Sequence, residues 1–98
     1  MLRLYSMPNC SYCDLMKSIL DETNYDYTIV DVTKDKGALT YIRDRGHKTV
    51  PQVYLNDIHI NKKSDTREYT SAELNDIISD VLDHQDWPGQ DSGIEQGM

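Results

Sequence analysis

Cys10 and Cys13 are the only thiols in the 98-residue chain, and two residues separate them. Thiolates attack disulfides and ligate soft metals, so a Cys-x-x-Cys pair reads either as redox chemistry or as half of a zinc site. A bridge between neighbours this close would close almost no loop and add little stability. Completing a zinc site would draw on the three histidines, but His47 falls near a loop, His59 in a strand and His84 at a helix end, without the spacing of paired ligands. The pair therefore points to redox chemistry. A helix pattern begins at Ser11, which puts Cys10 at a helix start beside unpaired N–H groups and the positive end of the dipole. Both favour the thiolate. An ordinary thiol of pKa ~8.5 is only a few per cent ionised at neutral pH, whereas the ~3.5 to 7.5 reached at such positions makes about half or more of it thiolate. Cys10 is the expected nucleophile, and Cys13, one turn further in and nearer the core, is placed to attack a mixed disulfide held on Cys10.

The elements that must position this pair follow from periodicity. Leu2 to Ser6 is short and alternating and is bounded by Pro8-Asn9, as a strand ended by a turn. Cys13, Met16, Ile19 and Leu20 then recur at helical steps, predicting an amphipathic helix from about Ser11 to Glu22. Tyr27 to Val32 is β-branched and aromatic, the composition of a half-buried or buried strand. Asp35 to Arg45 returns to helical spacing with Ala38, Leu39 and Ile42 inward and Gly46 as its C-terminal stop. Strand, helix, strand, helix predicts parallel pairing through a crossover. Gln52–Leu55 and Ile58–Ile60 flank Asn56-Asp57, which predicts an antiparallel hairpin. After a polar loop from Asn61 to Tyr69, Thr70-Ser71-Ala72-Glu73 is a capping box ahead of the Leu74, Ile77, Ile78, Val81, Leu82 stripe of a last helix ending near His84.

Size and charge narrow the function. Ninety-eight residues make one domain, read as residues 1–84 followed by an acidic, glycine-containing tail at 85–98 that is expected to be disordered. Ten basic against seventeen acidic residues give a net charge of −7, and no basic cluster is dense enough to follow a phosphate backbone, which argues against nucleic acid as a partner. No apolar run approaches the ~20 residues of a membrane-spanning helix, and Met1-Leu2-Arg3 does not open a signal peptide, so a cytoplasmic protein without a membrane partner is expected. Thr49-Val50-Pro51 precedes the third strand, where a proline marks a first strand residue or a tight turn, cis bonds included.

Taken together, Tyr5-Ser6-x-Pro8-x-Cys10-Ser11-Tyr12-Cys13, then Thr49-Val50-Pro51-Gln52-Val53, then Ser64-Asp65-Thr66 closely resemble the glutaredoxins of the thioredoxin superfamily over about residues 2–66. The resemblance implies an α/β, thioredoxin-like fold, a four-stranded mixed sheet flanked by about three helices. It implies a monomeric glutathione-disulfide oxidoreductase whose co-substrate is glutathione and whose partners are glutathionylated or disulfide-containing proteins. Cys10 would carry the glutathionyl group, and a second glutathione or Cys13 would resolve it. Val50 would pair main chain to main chain with the ligand's cysteinyl part, with Tyr12, Thr49 and Pro51 beside it, and Ser64 and Asp65 would hold its γ-glutamyl end. Two alternatives share these residues: a dithiol donor to a particular enzyme such as ribonucleotide reductase, and a protein in which Cys10 of two chains holds a 2Fe-2S cluster with glutathione.

Three positions depart from the family pattern. Met7 stands where many members carry a lysine for the glycyl carboxylate, which leaves Lys48, or Arg43 or Arg45, to supply that contact. Asn61-Lys62 replaces a Gly-Gly, so the loop is expected to follow a different path, with Lys62 and Lys63 adding positive charge nearby. Ser11 replaces the proline of Cys-Pro-Tyr-Cys and leaves one more N–H donor in the first helical turn.

Overall fold

The computed structural model describes residues 1–85. The elements run β1 (Leu2–Ser6), α1 (Ser11–Asp21), β2 (Thr28–Asp31), α2 (Lys36–Asp44), β3 (Gln52–Leu55), β4 (Ile58–His59), a short 3-10 turn (Thr66–Glu68) and α3 (Ser71–Gln85). The four strands form one mixed sheet in the order β2-β1-β3-β4. β1 pairs parallel with β2 and antiparallel with β3, and β3 pairs antiparallel with β4. This is the expected thioredoxin-like architecture. No helix among the described residues is long and apolar enough to cross a membrane. The tail expectation lies outside the described residues except at Gln85, which ends α3.

Alternation in the two central strands divides the core. Leu2 and Leu4 of β1 with Val53 and Leu55 of β3 meet Met16 and Leu20 of α1 and Leu74 and Ile78 of α3, while Tyr5 and Tyr54 turn to the opposite face and meet Val32, Ala38 and Ile42. β1 and β3 are thus covered on both faces. β2 lies at the sheet edge and leaves Ile29 46% exposed, so its β-branched run marks an edge strand and not a buried one. Gly46 follows α2 at φ 88°, the left-handed conformation that glycine adopts without a Cβ penalty, and donates to the carbonyl of Arg43. In the capping box, Thr70 Oγ1 accepts from the Glu73 N–H at 3.1 Å, but the Glu73 carboxylate turns away to Lys63 at 2.8 Å. The polar loop after β4 carries the 3-10 turn that helical or strand periodicity is too long to reveal.

Candidate active site

Asn9 at φ 58° turns the chain out of β1, and Cys10 then caps α1 from an extended conformation. Its Sγ accepts the main-chain N–H of Cys13 at 3.2 Å, so the sulfur takes the place that a serine or aspartate oxygen fills in most helix caps. Cys10 is partly exposed and Cys13 is 3% exposed. Burial, reinforced by the hydrogen bond to Cys10, pushes the Cys13 thiol up to about 12, so it stays protonated at neutral pH. One sulfur meets solvent and the other waits beneath it.

The segment before β3 supplies one wall of a cavity that Tyr12, in the first turn of α1, also lines. The Val50–Pro51 bond is cis. Gln52 Nε2 donates to the Thr49 carbonyl at 3.1 Å, and Asn61 holds both ends of the turn into β3, accepting from Val53 N at 2.8 Å and donating to the Pro51 carbonyl at 3.1 Å. The Val50 N–H and C=O make no hydrogen bond to another described residue and remain available to an extended ligand. Asn61 is therefore no stand-in for glycine. Neither it nor Lys62 takes positive φ, and the Asn61 side chain is buried as a main-chain clamp.

A third wall comes from the 3-10 turn. The Asp65 carboxylate caps it by accepting from Arg67 N at 2.9 Å and receives the Arg67 guanidinium through Nε at 3.1 Å and Nη2 at 2.8 Å. These bonds hold the Asp65 carboxyl below the usual range. Arg67 also lies 5.7 Å over the Tyr12 ring, tying this wall to the first turn of α1.

Tyr12, Thr49, Val50, Pro51, Ser64, Asp65 and Thr66 line one cavity of about 280 Å³. Six of the seven residues expected around the ligand are thereby brought together. Lys48 is not among them, because it lies beyond Val50, where a second cavity of about 320 Å³ is lined by Met7, Val32, Leu39, Ile42, Arg43, His47, Lys48, Thr49 and Val50. Arg43 borders the same cavity, whereas Arg45 stacks 3.4 Å over the Tyr41 ring and is turned from both. Lys63, expected to add positive charge nearby, pairs with Glu73 at 2.8 Å. Thr66 belongs to the Ser64-Asp65-Thr66 motif but carries no expected role, and Arg67 lies outside every motif of the sequence. The signal was the position of Thr66-Arg67 directly after Ser64-Asp65, where a capped turn folds back on its cap.

A Cys-x-x-Cys pair between a central strand and its helix, with a cis-proline ahead of the next central strand of a mixed sheet, defines a thioredoxin-like protein. Residues 2–60 match the family model for glutaredoxin, and the chain belongs to the glutaredoxin family. Glutaredoxin 1 of Rickettsia felis is 33% identical over 60 residues, 58% of this chain and 59% of that protein. The match thus spans about three fifths of that curated relative. Among solved structures, a buckwheat glutaredoxin–glutathione complex shares the fold at TM-score 0.60 and 18% identity, covering 83% of this chain and 78% of that one. The glutaredoxin-like NrdH-redoxin of Escherichia coli, described with a thioredoxin-like activity profile, shares it at TM-score 0.57 and 17% identity, covering 80% and 91%.

Proposed function

We propose that the chain is a glutathione-dependent thiol-disulfide oxidoreductase that reduces protein–glutathione mixed disulfides and, more slowly, protein disulfides. The carrying observation is the pairing of an accessible, N-H-bonded Cys10 sulfur with a buried, protonated Cys13, while Tyr12 between them lines a cavity with Val50 and Asp65. Glutathione, with which the buckwheat protein of this fold was solved, fits that wall chemically. Its cysteinyl main chain can pair with the free N–H and C=O of Val50, and its ammonium can join Arg67 on the Asp65 carboxylate.

In the reaction, the Cys10 thiolate attacks the glutathione sulfur of the mixed disulfide. The old S–S bond breaks, the target cysteine leaves as a thiolate and takes up a proton, and glutathione stays on Cys10. A second glutathione thiolate then attacks that sulfur, so oxidised glutathione leaves and Cys10 is regenerated. Cys13, held protonated by burial, competes poorly for the same sulfur, which favours this one-cysteine route over a dithiol donor.

The test is steady-state reduction of a glutathionylated peptide with glutathione, glutathione reductase and NADPH. Cys10→Ser is expected to fall to the uncatalysed rate, and Cys13→Ser to keep most of the activity. Loss of activity in both variants would assign the chemistry to the dithiol and with it a dedicated disulfide donor, for example to ribonucleotide reductase.

A further inference from the structure

The second cavity extends the site on the side of Val50 away from Asp65, and the two cavities share Thr49 and Val50. A ligand extended along Val50 therefore borders both cavities, one on either side. The two ends differ in charge. Asp65 stands at the first, whereas the second carries Arg43 and Lys48, has no acidic lining residue, and neither of these cations is in an ion pair with a described residue. An amino-terminal side toward Asp65 and a carboxylate side toward Arg43 and Lys48 fix the direction of the ligand chain. The residue after its cysteine then lies over Met7, Leu39 and Val50, above the buried Val32 and Ile42.

Glutathione has a glycine after its cysteine, so it can bring a carboxylate to the basic rim but no side chain to the apolar floor. Met7 is 43% exposed there, a large apolar side chain with its face open to solvent. From the apolar floor, the unpaired basic rim in a chain of net charge −7, and the continuity with the first cavity, we infer that the second cavity selects polypeptide disulfides in which the reacting cysteine is followed by a large apolar residue and then a carboxylate. The inference rests on the thiol-disulfide activity proposed above and names its preferred protein substrates. In the step concerned, Cys10 attacks the disulfide and one peptide thiol leaves. Cys13 then gives up its proton and attacks Cys10 Sγ, the second peptide thiol leaves, and the two electrons come from the Cys10–Cys13 pair, which ends as a disulfide.

The test is a single-turnover measurement on the fully reduced protein with symmetric disulfides of three acetylated, amidated peptides, Ala-Cys-Leu-Glu, Ala-Cys-Gly-Glu and Ala-Cys-Leu-Lys. The wild-type rate for the first is expected to exceed the second by about ten-fold, the size of an apolar side chain's contribution in a partly open pocket. Met7→Ser should lower that ratio, and Arg43→Ser should lower the ratio of the first peptide to the third. Ratios are read on one preparation, so partial misfolding does not imitate the result. Equal wild-type rates for the three peptides, or ratios that the two variants leave unchanged, would overturn the inference alone. Failure to reduce any of them while a glutathionylated peptide is still turned over would overturn the inference, and failure on both substrates would overturn the activity on which it rests.

Discussion

His59 shows how one side chain links the sheet edge to the site. Its ring packs on Tyr54 at 5.1 Å and on His47 at 4.2 Å, and its Nε2 lies 2.7 Å from Gln52 Oε1. Gln52 uses its Nε2 to donate to the Thr49 carbonyl, so its oxygen accepts and His59 Nε2 carries the hydrogen. Burial, with His47 beside it, lowers the His59 pKa to about 4. In the unfolded chain the same group titrates near ~6.5, so as pH falls the unfolded state binds the proton first. The stability contributed by neutral His59 is thus complete above that unfolded value and is lost between it and about 4. Its size is roughly 1–3 kcal/mol, the linkage value discounted for partial solvent contact. Urea unfolding of wild type and His59→Gln at pH 7.5 and pH 4.5 should show the wild-type advantage shrinking by about that amount. Parallel losses in the two proteins would place the acid sensitivity elsewhere.

At the scale of elements, the loop after β4 matters more to the site than its polar composition suggests. Asn61 is 6% exposed, and its amide bonds to both the Val53 N–H and the Pro51 carbonyl, clamping the start of β3 beside the ligand wall. Removing that amide leaves a buried donor and acceptor without partners, at a cost of about 1–3 kcal/mol each. Asn61→Ala is expected to lower the urea midpoint and to raise the KM for glutathione more than it lowers kcat, because Cys10 is not touched. A KM equal to wild type would show that the clamp does not shape the wall. No local pattern could have revealed this role. The helices were legible because Met16 and Leu20, Ala38 and Ile42, and Leu74 and Ile78 repeat at the spacing of a buried stripe. The cysteine pair was legible because its chemistry lies within one turn. Asn61 and the Lys63–Glu73 pair, by contrast, are defined by partners up to ten residues away across a turn. The side of Val50 to which Lys48 belongs was hidden for the same reason, since sequence gives its neighbour Thr49 but not the cavity that the two share with Met7 and Arg43.

At the largest scale, two hydrophobic cores share the central strands β1 and β3. Adjacent residues of each central strand serve opposite cores: Leu4 and Tyr5 in β1, Val53 and Tyr54 in β3. Ile78 is fully buried in the core beneath α1 and α3, while Tyr5, Tyr41 and Tyr54 form an aromatic cluster on the other side, with centroids 5.3 to 5.8 Å apart. A domain of this size has about 5–15 kcal/mol of total stability, and truncating a fully buried isoleucine to alanine costs about 2–5 kcal/mol. Ile78→Ala should therefore lower the urea midpoint substantially. Because β1 and β3 carry both cores, the near-ultraviolet signal of the tyrosine cluster should be lost in the same transition as the helical far-ultraviolet signal. If α3 instead melted first and left the tyrosine signal intact, the two layers would be separable. Cys10 and the Val50 wall, which hang on β1 and β3, would then keep their geometry without α3.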